Sequence, residues 1–214
     1  FDFNGDIRDK VHGYPSAQAN PSWSSLTYGA GKVGTAVILP GWQSIRFTQQ
    51  LDNVHFTGTM TVAAWIKPDG ESGEAGTIVS KEDQFRIARF PDGTVRFAFA
   101  NANPGLPWTN TNAELPAGVW THLVVTFAHG VVNTYLNGTL VHTYQGAGDM
   151  QPVSGLPYWG SYLSIGNRED PEHPSYLIGA IDEVQISEEA WDAPLPESLF
   201  LTGASGICAL TPTV

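Results

Sequence analysis

Six aromatic residues, Trp23, Trp42, Trp108, Tyr158, Trp159 and Tyr162, stand in turn-rich stretches or beside Gly and Pro, away from the main runs of apolar residues. That placement suits sugar recognition. A pyranose ring has an apolar face of C–H groups that packs on an exposed aromatic plane, while its hydroxyls need amide or carboxylate partners. Two segments stand out: Asn101 to Asn112 surrounds Trp108 with amides, and Gly155 to Tyr162 carries the three aromatics Tyr158, Trp159 and Tyr162. The expected ligand-binding residues are therefore Trp108, Trp159, Tyr158, Tyr162, Asn103 and Asn110. Trp108 and Trp159 would stack on rings, Asn103 and Asn110 would bond hydroxyls, and Trp23 or Trp42 would be next in line. The alternative is that these aromatics plug gaps between loops and sheet. Trp65 and Trp120 sit between apolar residues and are assigned to packing.

Acid–base chemistry has weaker support. Retaining glycoside hydrolysis needs two carboxylates about 5–5.5 Å apart, and on a strand that means acids on alternate residues of one face. Glu82-Asp83 and Asp182-Glu183 are adjacent pairs that point to opposite faces. Asp170, Glu172 and His173 can form a cluster, but a charge run broken by Pro171 and Pro174 also makes a solvated loop. The six histidines lack the spacing of zinc helices, and Cys208, the single cysteine, permits neither a disulfide nor a cysteine zinc site within the chain. Binding without catalysis is the expectation. Asp182 poses a separate question, because alternation puts it on one face with Val184 and Ile186. A carboxylate there needs compensation by a cation, a Lys or Arg, or backbone N–H groups.

The elements that must position these residues are short strands. Charged residues make up 14% of the 214, against about 25% in an average soluble domain, and apolar residues make up 42%. Two hairpins can be read with their turns: Phe85 to Phe99 around Pro91-Asp92-Gly93, and Val131 to Tyr144 around Asn137-Gly138. Asn137-Gly138-Thr139 is also a glycosylation sequon, for which the turn is the preferred reading. Further strands are expected at Thr35 to Leu39, Ser44 to Phe47, Thr59 to Lys67, Thr77 to Ser80, Trp120 to Phe127, Tyr162 to Gly166 and Ile178 to Ile186. One short helix is expected over Pro196 to Leu201, between its proline-led acidic start and Gly203.

So many strands with almost no helix predict an all-β, two-sheet antiparallel sandwich or jelly roll, one domain over residues 1–203. Residues 204–214 resemble the start of a linker to a neighbouring domain. The net charge of −11 disfavours nucleic acid and anionic membrane surfaces as partners, and no apolar run is long enough to span a bilayer. Phe1-Asp2-Phe3 does not open a signal peptide, so the chain is read as a mature or excised piece. Low charge, few lysines and many Thr, Asn and Trp residues fit a secreted, extracellular protein.

Seven segments in order resemble the laminin-G-like/pentraxin-like jelly roll of the concanavalin A-like lectin/glucanase superfamily. They are Phe3-Asn4-Gly5 with Asp9 downstream, Gly31 to Val37, Met60 to Pro68, Gly118 to Phe127, Tyr135 to Gly138, Leu163 to Gly166, and Gly179 to Ile186. The tail from Phe200 to Cys208 is similar to the end of many bacterial examples. The resemblance implies two curved sheets, an appended module that binds sugar or protein, and a frequent calcium site. It places structural calcium on Asp182, with a carbonyl at Asp2 or Asn4 and one at Gly41, and with waters completing a shell of six or more oxygens. The Glu-x-Asp-x-x-Glu pattern of the related glucanases is absent. A carbohydrate-binding module for a polysaccharide or glycan is the leading expectation. A protein-binding adhesion module and a polysaccharide hydrolase or lyase are the alternatives.

Overall fold

The computed structural model describes residues 1–7, 17–22, 24–47, 55–70, 75–103, 105–155, 162–168, 170–192, 196 and 200. Among them the chain forms two antiparallel sheets of seven strands each. The front sheet runs, in spatial order, β1 (Ala17–Asn20), β4 (Ser44–Phe47), β13 (Leu163–Ile165), β6 (Gly76–Lys81), β7 (Phe85–Arg89), β8 (Thr94–Phe99) and β9 (Thr109–Glu114). The back sheet runs β12 (Thr139–Gln145), β11 (Val131–Leu136), β10 (Thr121–Ala128), β5 (Thr59–Pro68), β14 (Ile178–Ser187), β3 (Thr35–Pro40) and β2 (Thr27–Ala30). The expected sandwich is the observed one. The helix expected over Pro196 to Leu201 lies outside the described residues apart from Pro196 and Phe200, and so does the expected linker.

Period-two alternation builds the core. On the front sheet Phe85 and Ile87 of β7 and Val95, Phe97 and Phe99 of β8 face inward, and on the back sheet Met60, Val62, Ala64 and Ile66 of β5 meet them. Phe99 of the front sheet lies 4.8 Å from Phe127 of the back sheet, ring centre to ring centre. Both hairpins form as their turns predict. Asn137 and Gly138 both take positive φ, as a two-residue turn of type I′ requires, whereas at Pro91-Asp92-Gly93 only Gly93 does, giving a longer loop closed by Gly93 N–H to the Phe90 carbonyl.

The outer side of the front sheet is polar and small. One row of register partners crosses it as Gln18, Arg46, Ser164, Ser80, Arg86 and Ala98, and a second as Thr77, Ala88, Arg96 and Asn110. The outer side of the back sheet is covered differently. Trp65 is buried there, with its ring 5.1 Å from His122 and 5.7 Å from Phe200, and with the Lys32 ammonium 4.4 Å above it. Trp65 thus packs, as expected, though on the outside of its sheet instead of between the sheets. Trp120 falls just outside β10 and is partly exposed.

Strict alternation fails at Asp182. The register of β14 on β5 shifts between Asp182 and Gln185, so that Glu183 and Val184 share one partner position, and Glu183 takes a φ of 51°. This bulge sends both Ile181 and Val184 into the core and turns Asp182 away from it. The expectation that Asp182 shares a face with Val184 is corrected accordingly.

Candidate functional site

Trp108 precedes β9 directly, and the alternation of that strand places it on the outer side of the front sheet with Asn110. Residues 109–112, expected as part of a loop, belong to this strand. Thr109 and Asn110 pair with Phe97 and Arg96 of β8, so cross-strand packing overrides the low strand propensity of asparagine. The Trp108 ring stands edge-on to Phe90 at 5.2 Å, and the Arg86 guanidinium lies 5.3 Å from its centre. Phe90 is in turn covered by the Arg96 guanidinium at 4.0 Å, and Arg96 pairs with Asp92 at 2.6 Å. The Thr94 hydroxyl and N–H, with Arg96, hold the Asp92 carboxyl down to about 2. The hairpin tip is therefore a fixed edge.

The opposite wall comes from the connection between β13 and β14. Arg168 donates to Glu82 through Nε and Nη2 at 2.9–3.2 Å, and the same Nη2 reaches Asp170 at 3.2 Å. Asp170 also accepts the Glu172 N–H and meets His173 Nδ1 at 3.0 Å. Burial works to raise the Asp170 carboxyl, but the His173 and Glu172 hydrogen bonds and the Arg168 charge outweigh it and leave the group below its ordinary value. Between the walls lies a shallow cleft of about 370 Å³ lined by Ala75, Phe90, Pro91, Trp108, Arg168, His173 and Ser175, at the smaller end of the range for small-molecule sites.

The expected ligand residues do not all meet here. Trp108 and Asn110 share the face. Asn103 does not join them: it pairs with Ala147 through the backbone and accepts the Tyr144 hydroxyl at 2.9 Å, because the chain after β8 bends toward β12. Tyr162 lies under the Arg46 guanidinium at 5.2 Å, and Arg46 stands three strand spacings from Arg86, roughly 14 Å away. Tyr158, Trp159 and Trp23 lie outside the described residues, and Trp42 is 47% exposed. Sequence reasoning missed Phe90, Arg86 and Arg168 as site residues. The signal available was the charge run from Asn167 to Pro174, which holds an Arg and a His in addition to its acids.

Asp182 is fully buried, and its oxygens accept backbone N–H groups from Val33 at 2.9 Å, from Glu183 at 2.8 Å and from Lys32. Burial, with the Asp2 carboxylate adding to it, pushes its carboxyl up to about 6 against those hydrogen bonds. Asn4 lies alongside and accepts the Thr35 N–H at 2.9 Å. A side chain at Gly31 would meet Asp182 Oδ2 at 2.6 Å, so residues 31–35 wrap this carboxylate closely. No cationic side chain holds Asp182 among the described residues, since Lys32 is spent on Trp65. A buried carboxylate with the Asp2 carboxylate nearby offers the oxygen ligands that a hard metal ion takes. Gly41 does not fit the set: it follows Pro40, which pairs with Ile178, so it sits roughly 15 Å along the ladder from Asp182. No three His, Cys, Asp or Glu side chains gather into a metal-binding group among the described residues, so backbone oxygens and water would complete a shell.

A family model described as the concanavalin A-like lectin/glucanases superfamily matches residues 41–194. Among solved structures, domain 4 of AbnA, a GH43 extracellular arabinanase from Geobacillus stearothermophilus in complex with arabinotriose, is similar at 21% identity. The match covers 93% of this chain and 95% of that one, with a TM-score of 0.72. A SAP-like heptameric pentraxin from Limulus polyphemus matches at 18% identity over 80% of this chain and 83% of its own, TM-score 0.58. Botulinum neurotoxin type C, whose cell entry depends on two ganglioside molecules, matches at 14% identity over 88% of this chain and 46% of that one, TM-score 0.61. At these identities the likeness is one of fold. No curated protein matches the sequence significantly.

Proposed function

The chain belongs to the concanavalin A-like lectin/glucanases superfamily, and from that premise we propose that it is a non-catalytic carbohydrate-binding module of an extracellular protein. The observation that carries this is the cleft beside Trp108, where a partly buried indole lines a gap of sugar size together with Arg168, His173 and Ser175. The arabinotriose-bound domain and the ganglioside-dependent toxin among its structural neighbours support the ligand class. The carboxylates beside the cleft, Glu82 and Asp170, are both clamped on one nitrogen of Arg168. A general acid needs a raised pKa, and Asp170 is shifted the other way. That geometry supports binding over hydrolysis.

Affinity electrophoresis and calorimetry against plant, algal and bacterial polysaccharides test the proposal. Trp108→Ala is expected to lose about 2 kcal/mol, roughly thirtyfold in affinity, for whichever glycan binds. Wild-type affinity in that variant, with an unchanged melting temperature, would place the site elsewhere. Absence of binding across the panel would refute the function.

A structural calcium ion at Asp182 and Asp2 is the second part of the proposal. An ion bound only to the folded state stabilises it by mass action, about 2.7 kcal/mol at 100 times its dissociation constant, or roughly 5–10 °C in melting temperature. Thermal unfolding in chelator and in millimolar calcium should show that rise in wild type and not in Asp182→Asn. An equal rise in both would remove Asp182 from the site.

A further inference from the structure

The free hydrogen-bonding capacity of the Trp108 cleft is mostly of one kind. Arg168 spends Nε and Nη2 on Glu82 and Asp170, and among the described residues its Nη1, with two N–H groups, has no partner. The Trp108 indole N–H has none either, and Arg86 Nε is buried without one behind the indole. The carboxylates of Glu82 and Asp170 stand behind the arginine and do not line the cleft. His173 completes the wall. Its Nδ1 faces the Asp170 carboxylate, which can only accept, so Nδ1 carries a hydrogen and Nε2 is left to the ligand.

A neutral sugar presents hydroxyls that both donate and accept. A wall of guanidinium and indole N–H groups answers only their accepting half. A carboxylate or a sulfate only accepts, and an arginine fork binds it with shorter, stronger, charge-assisted bonds. Three of the chain's ten bases, Arg86, Arg96 and Arg168, gather at this cleft; Glu82, Asp92 and Asp170 balance their charge, but of these six groups only Arg168 lines the cleft.

We propose that the cleft takes an acidic sugar residue, a uronate or a sulfate ester, with its anionic group on Arg168 Nη1 and its ring on Trp108. This deepens the carbohydrate-binding reading and rests on it. The chain's net charge of −11 opposes an extended polyanion at long range, so short oligosaccharides are the better probes.

The test compares matched pairs by calorimetry on the whole chain: oligogalacturonate against its methyl ester, and a sulfated galactan oligosaccharide against its desulfated form. Tighter binding of the charged member by about tenfold or more is expected in one pair, and which pair responds tells uronate from sulfate. Arg168→Gln should abolish the preference. Equal binding within both pairs overturns the acidic ligand while leaving glycan recognition standing, and a preference unchanged in folded Arg168→Gln overturns the assigned residue. Binding of no glycan, neutral ones included, removes both. If Arg168→Gln does not fold, the charged-against-neutral comparison on the wild-type chain decides alone.

Discussion

Asp83→Ala is expected to destabilise the fold by roughly 3–5 kcal/mol, the cost of leaving one member of a buried ion pair alone. Lys81 ends β6 with no solvent exposure, and its ammonium lies 2.7 Å from Asp83. Its register partners Phe85 and Leu163 are both core residues, so the lysine is aimed at the edge of the core. Without the carboxylate its charge has neither partner nor water. Denaturant unfolding at neutral pH measures the loss, and the double variant Lys81→Met/Asp83→Leu should recover most of it. A double variant as unstable as the single one would shift the cause from charge to the backbone of the turn.

Acid sensitivity is the second large effect, and it is traced to His122. The ring is buried against Trp65, its Nδ1 has no partner, and burial pulls its pKa down to about 4. An unfolded histidine titrates near 6.5. As pH falls from about 6.5 to about 4, the unfolded chain takes up a proton that the native chain refuses, so stability declines through that window and levels off below it. The full loss is on the order of 3 kcal/mol. His122→Phe should flatten the decline between pH 6.5 and 4. The quantity to compare is the difference between variant and wild type, because Asp182, pushed up to about 6, shifts stability in the opposite direction over part of the same range. An identical slope in both proteins would absolve His122.

Local signals in the sequence carried most of the fold. Asp92-Gly93 and Asn137-Gly138 turn where turn chemistry says they should, and the inward residues of β5, β7, β8 and β10 follow period-two alternation. What was hidden is non-local. Nothing near Leu163 says that β13 will sit between β4 and β6, more than 80 residues earlier in the chain. The bulge at Glu183 was equally invisible, because it depends on how β14 seats against β5. The site divides the same way. Trp108 and Asn110 were legible from residue type, whereas Arg168 entered the site only because β13 delivers it to Glu82. Asn103, of the same type and nearly the same neighbourhood, was turned away by its pairing with Ala147.

The turn after β6 ties these parts together. Lys81 and Asp83 close the core, Glu82 holds the arginine of the cleft, and the Gln84 amide bonds both backbone groups of Phe56 while its carbonyl receives the Ala100 N–H. Four consecutive residues thus serve both the buried core and the cleft proposed for recognition. Evolutionary freedom is correspondingly uneven. If the proposed glycan site is right, Trp108, Pro91 and His173, rooted outside that turn, can diverge among descendants to retune the ligand, but drift in Glu82 or its neighbours would have to preserve folding and specificity together. A lineage of such modules would therefore diversify around a constant arginine, changing the rim of the cleft before its anchor.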